Sequence, residues 1–255
     1  MSQPPVSAIE HYQTLLASHY TWMSGDFAAK VDQQQALFTR LGVAPAATTE
    51  AVDLGCGSGF QSIALARLGF SVTAVDASVQ LLTELDQHAE GLPVRTVQHD
   101  LSDLASCSSL PSKADCAVCM GDTLSHLPSP AAATSLFIEV SHLLAPGGWL
   151  VLGFRDLSQP LHGLDRFIPI RGDEERIMTC FLEYEKDTVI VNDLIYLRHG
   201  QGWNLHKSAY RKLRLSSSWV RSELATHGFQ LHFEEQTLGM TTIVAQKQSE
   251  TQSKP

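Results

Sequence analysis

The sequence predicts an α/β fold: a doubly wound, mostly parallel sheet with an antiparallel meander inserted after its fifth strand. Three observations predict it. Short apolar runs alternate with helical stretches between residues 51 and 154, which implies βαβ units on a parallel sheet. A glycine-rich turn, Gly55-Cys56-Gly57-Ser58-Gly59, follows the first of these runs. After Arg155 the helical stretches stop and three long extended runs follow.

The elements read in order as follows. Residues 7–24 are helical or irregular and carry Tyr12, Tyr20 and Trp22. Phe27, Val31, Leu37, Phe38 and Leu41 form a helical stripe over 26–42. Pro45 opens a linker into a buried strand at 51–54, followed by a helix at 60–68, a strand at 71–75 and a helix at 79–90. Strands at 94–98 and 114–120 come next, then an amphipathic helix at 131–144. Pro146-Gly147-Gly148 stops that helix before a fifth strand at 149–154. Residues 156–174, with Pro160, Gly163, Pro169 and Gly172, read as loop. Runs at 176–184, 188–197 and 203–215 form the meander. Ser216-Ser217-Ser218 supplies an N-cap for a helix through His227, which Gly228 ends. Runs at 229–235 and 240–246 close the sheet as an antiparallel pair, giving seven strands. The expected organisation is one domain over 1–247: a helical cap (7–45), a core (46–155 and 216–247) and the inserted meander (156–215). A flexible tail (248–255) follows.

Composition bounds the function. With 44% apolar and 18% charged residues the chain should fold around a core. The apolar stretches are too short to span a bilayer, and residues 1–10 lack a secretory pattern, so a cytoplasmic protein without a membrane partner is expected. A net charge of −9 argues against a nucleic-acid binder. The basic run at 207–214 reads as a solvated strand face. Five cysteines fit a reducing compartment. Cys116 and Cys119 form a CxxC within a strand, where positions three apart face opposite ways, so buried thiols are expected rather than a metal or redox site.

The chemistry centres on Asp53-Leu54-Gly55-Cys56-Gly57-Ser58-Gly59. A glycine turn at the carboxyl end of the first strand is a nucleotide-binding position, because its backbone tolerates positive φ and close approach. Asp76, after the second strand, is placed to accept ribose hydroxyls. Phe60 stands where a dinucleotide motif has its third glycine. Asp53 would repel a pyrophosphate but suits a sulfonium or amino group. Asp100, after the third strand, can accept from an adenine amino group. Together these favour S-adenosylmethionine over a nicotinamide cofactor.

The stretches 51–60, 71–78, 98–101 and 143–152 resemble the ordered motifs of class I S-adenosylmethionine-dependent methyltransferases, whose sheet is Rossmann-like with an antiparallel last strand. Within that class the chain is similar to the glycine N-methyltransferase group. That similarity rests on Trp22 with Gly25-Asp26, on 69–78, on 118–127 and, more weakly, on 212–216. The resemblance implies Trp22 near the methionyl arm and Lys30 at the cofactor carboxylate. It puts Asp76 on the ribose with Ala77 beside the adenine, Asp100 and Leu101 on the adenine's other side, and Met120 as an apolar wall. Asp122 replaces an asparagine of that group and would suit a cationic acceptor. Arg155 would grip an acceptor carboxylate, or pair instead with Asp156 or Asp165. His126 and Tyr12 are further acceptor-side candidates.

Methyl transfer is an in-line displacement for which the protein aligns and desolvates. With no clustered metal motif in the sequence, a nitrogen acceptor is slightly favoured over a hydroxyl that needs a base. The expected partner is a small-molecule acceptor, and the expected state a monomer or homodimer. Two alternatives stand beside this reading, a non-catalytic S-adenosylmethionine-binding regulator and an NAD(P)-dependent oxidoreductase.

Overall fold

The computed structural model describes residues 4–248; the expected tail lies, from residue 249 onward, outside the described residues. The core is a seven-stranded sheet built from β1 (Glu50–Leu54), β2 (Ser71–Asp76), β3 (Val94–Gln98), β4 (Ala114–Cys119), β5 (Leu144–Arg155), β10 (Phe229–Thr237) and β11 (Met240–Lys247). Their order is β10-β11-β5-β4-β1-β2-β3, with β11 antiparallel to both its neighbours. Every other contact between neighbouring strands is parallel.

Burial on both faces explains the apolar strands. On one face Ala51, Val72, Ala74, Cys116 and Val118 pack against α3 (Phe27–Arg40), α4 (Phe60–Arg67) and α5 (Val79–His88) through Val31, Phe38, Ile63 and Leu85. On the other, Val52, Leu54, Ala117 and Cys119 meet α6 (Pro130–Leu143) and α7 (Ser217–Thr226) through Phe137, Val140, Val220 and Leu224. Cys116 and Cys119 are therefore buried in opposite cores, and burial pushes both thiols up, Cys119 to about 12. The linker into β1 is pinned by Asp115, whose carboxylate accepts the backbone N–H groups of Ala46, Ala47, Thr48 and Thr49.

The insertion is a separate four-stranded antiparallel sheet: β6 (Phe167–Gly172), β7 (Arg176–Tyr184), β8 (Thr188–His199) and β9 (Gly202–Leu213). The loop expected at 156–174 thus contains an edge strand. β6 pairs with β7 across a bulge at Pro169/Arg171, and an edge position tolerates the proline. The turn expected at Pro146-Gly147-Gly148 lies inside β5, where a register shift against β4 absorbs it. The N-terminal cap is α1 (Ala8–His11), a π-helical turn (Tyr12–Leu16) and α2 (Ala17–Ser24), ended by Gly25 at φ 104°. It lies on the inner face of the meander, where Leu15 and Leu16 pack on Met178 and Ile195.

Candidate functional site

A cavity of about 1060 Å³ lies above the carboxyl ends of β1, β2, β4 and β5, between sheet, cap and meander. The glycine turn forms its floor. Gly55 and Cys56 donate their N–H groups to the Val75 carbonyl, at 2.8 and 3.1 Å, which fixes the turn against β2. Gly55 has φ 77°, and a Cβ there would lie 2.3 Å from Thr123. The Gly57 N–H donates to Asp76 Oδ2 at 2.9 Å, and the Ser78 N–H to Oδ1 at 2.8 Å. Burial raises the Asp76 carboxyl while these backbone donors oppose it. A carboxylate has further lone pairs, so Asp76 retains acceptor capacity toward the cavity it lines.

Of the residues singled out from sequence, Lys30, Gly55, Gly57, Asp76, Ala77, Asp100, Leu101 and Met120 line this cavity. So do Tyr12, Asp122, His126 and Arg155. Three do not. Asp53 is 1% exposed beneath the turn and accepts from Ser62 Oγ at 2.6 Å. Burial lifts its carboxyl to about 7. Cys56 is enclosed at 2% exposure. Trp22 points to the meander instead: its indole N–H donates to Asp173, and the guanidinium groups of Arg171 and Arg176 sit 5.7 and 4.7 Å from its ring. Tyr20, two residues earlier on α2, lines the cavity and packs so closely on the turn that a Gly57 Cβ would lie 2.8 Å from its ring. The aromatic cluster was visible in sequence; which ring points inward depends on the helix's rotation.

The polar centre of the other lobe joins residues far apart in sequence. Lys212 Nζ, on β9, reaches Asp122 Oδ2 at 2.7 Å, and both side chains are largely buried, at 11% and 17% exposure. Arg155 Nε lies 3.4 Å from the same oxygen, and the Arg155 N–H donates to Oδ1 at 3.1 Å. Arg155 thus pairs with Asp122, not with Asp156 or Asp165; Asp156 caps α7 through Ser217. Against its burial, Lys212 first and then His126 and Arg155 hold the Asp122 carboxyl at about 2. Two cations against one carboxylate leave this cluster net positive, which suits an anionic acceptor group better than the cationic one expected at Asp122. Lys212 also overturns the solvated-face reading of 207–214. Only Lys207 and Arg211 of that run's cations are exposed, Arg211 pairing with Glu185, and Arg214 donates to the Leu157, Ser158 and Glu185 carbonyls.

His126 sits beside this cluster, edge-on to Tyr12 and Tyr210 at 5.6 and 5.5 Å, and its Nε2 is buried without a hydrogen bond. Burial, reinforced by Lys212, holds its pKa at about 3, so the imidazole is neutral at physiological pH. Toward the meander the lining turns apolar, with Leu157, Ile168, Met178, Leu182 and Val191.

Residues 51–148 match the model of a methyltransferase domain. The ubiquinone biosynthesis O-methyltransferase of Schizosaccharomyces pombe, named as mitochondrial, is 26% identical over 85% of each chain. The enzyme of that name from Paracidovorax citrulli is 32% identical over 43% of this chain and 44% of its own, so the match spans less than half of that relative. The structure of an amino pentose methyltransferase from Micromonospora echinaspora, solved with S-adenosylmethionine bound, superposes with a TM-score of 0.67 at 16% identity. It covers 97% of this chain and 100% of that one. The chain carries a methyltransferase domain over residues 51–148, on the fold of the class I S-adenosylmethionine-dependent methyltransferases. Its cofactor is S-adenosylmethionine, and the oxidoreductase alternative falls away. No helix of the methyltransferase is long and apolar enough, among the described residues, to cross a membrane.

Proposed function

We propose that this methyltransferase transfers its methyl group to an oxygen of a small hydroxylated acceptor. The observation that carries this is the net positive Lys212–Asp122–Arg155 cluster in the cavity wall. An amine acceptor gains positive charge during transfer, which neighbouring cations oppose. A hydroxyl acceptor reacts best as its anion, and the same cations favour that anion. The names of the curated relatives point the same way. This departs from the nitrogen acceptor favoured by sequence, which rested on the lack of a metal motif and did not weigh a cluster closed by Lys212.

The lining fits S-adenosylmethionine. Asp76 offers acceptor capacity for ribose hydroxyls, and Ala77, Asp100 and Leu101 flank the adenine position. Gln34 Oε1 is buried without a partner, one helical turn from Lys30 on α3. This pair suits the ammonium and carboxylate of the amino-acid end. Gly55 and Gly57 let the chain approach closely, Met120 supplies an apolar wall, and Tyr20 takes the place expected for Trp22. When bound, the cofactor supplies an electrophilic methyl group on a sulfonium. The cap and meander exclude water, and Lys212 and Arg155 hold the acceptor oxygen as its anion, whose proton is released to solvent as the acceptor binds. His126, held neutral by burial and Lys212, is too weak a base to take it. We also place the enzyme in the cytoplasm, on its five unpaired cysteines, and assign it no nucleic-acid partner, on its charge of −9.

Aminophenols test the choice of atom, because one molecule offers both. With S-adenosylmethionine carrying ¹³C in its methyl group, magnetic resonance of the product should show the label on oxygen. Label on nitrogen would contradict the proposal.

A further inference from the structure

Tyr210, on β9, is 3% exposed, lines the cavity, and its hydroxyl makes no hydrogen bond to any described residue. Three groups surround the ring. His11 stacks against it at 4.2 Å with a 26° interplanar angle. His126 meets it edge-on at 5.5 Å, and the Lys212 ammonium lies 5.7 Å from its centroid. His11 is itself fully buried and fixed by Asp193, Nε2 to Oδ2 at 2.9 Å. Just before it, the Val6 N–H donates to the Ala209 carbonyl at 2.8 Å, tying the cap to the strand that carries Tyr210.

Tyr210 and Lys212 are two residues apart on one strand, so their side chains leave the same face of β9 and enter the same lobe. A cation and a fixed hydroxyl therefore stand side by side. Burial, with the carboxylates of Asp193 and Asp122 adding to it, pushes the Tyr210 phenol well above its ordinary value, so it stays protonated and donates.

We propose that Tyr210 is a specificity-determining residue that donates a hydrogen bond to a second oxygen of the acceptor, beside the oxygen addressed by Lys212. The enzyme then selects acceptors with two oxygens over those with one. This rests on the oxygen-acceptor reading above. His11 and Asp193 are positioning residues that hold the Tyr210 ring.

The test is binding rather than turnover. Protein loaded with S-adenosylhomocysteine is titrated calorimetrically with phenol, catechol, resorcinol and hydroquinone. At least one diol should bind the wild type about tenfold more tightly than phenol, the scale of one hydrogen bond. Tyr210→Phe should abolish that preference and leave the affinities for phenol and S-adenosylhomocysteine unchanged. If Tyr210→Phe does not fold, His11→Asn serves. It keeps a donor for Asp193, removes the stacked ring, and should reduce the preference. Equal binding of phenol and all three diols, no binding of any, or a preference kept in the variant would overturn the inference. A wild type that discriminates in binding but transfers no methyl group to oxygen would contradict the proposed function alone.

Discussion

Asp53 shows how a residue can be legible in sequence and still have its side chain misplaced. Its position before the glycine turn marked the cofactor, yet its carboxylate lies below the turn, with Ser62 as its hydrogen-bond partner. Burial raises it to about 7 from an ordinary 3.8. The folded state therefore binds more protons than the unfolded state between these values, and stability falls as pH rises through that window. His126, held at about 3 against an ordinary 6.5, contributes the opposite slope below pH 6.5, so the Asp53 contribution is read against a variant. On going from pH 5 to pH 8 in urea unfolding of the cofactor-free protein, the wild type should lose roughly 2–4 kcal/mol more stability than Asp53→Asn, which keeps the shape but does not titrate. Equal pH dependence of the two proteins would contradict the assignment. Asp122 has the opposite sign and does not interfere. Held at about 2, its contribution is present above its ordinary pKa and fades only as pH falls toward 2. The contiguous site residues were readable because strand ends and turns repeat a local pattern. Lys212 was not, because it meets Asp122 across 90 residues of chain and nothing local distinguishes it from its solvent-facing neighbours.

Between elements, the cap is tied to the meander in two places of different character. The inner tie is the buried His11–Asp193 pair, and the outer tie is Trp22 with Asp173 at the β6–β7 turn. Removing one partner of a buried pair strands the other without water. His11→Ala should therefore cost about 3 kcal/mol in denaturant unfolding, while Asp173→Asn, at a fully exposed site, should leave the midpoint near that of the wild type. Equal effects would mean that the cap is not held from within. The same contrast explains what the sequence hid. Regular alternation made β1–β4 and their helices legible. β6 was not, because Pro169, Gly172 and a bulge break its pattern, and its one strand partner is β7. The rotation of α2, which turns Trp22 out and Tyr20 in, is likewise set by packing on the meander.

Across the whole molecule, a chain of net charge −9 sets two cations against one carboxylate in one cluster of its cavity wall. The long-range field repels anions, so the preference for an anionic acceptor must come from the cluster at short range, where the cavity walls limit screening. The pH dependence of methyl transfer to a hydroxylated acceptor measures that directly. The acid limb of kcat, which reports ionisations within the enzyme–substrate complex, follows deprotonation of the bound acceptor. Lys212→Met keeps the side-chain length and removes the charge, so the limb should move to higher pH by about one unit, roughly a tenfold loss at a fixed pH below it. An unmoved limb, with methyl transfer intact, would contradict an oxygen acceptor activated by this cluster.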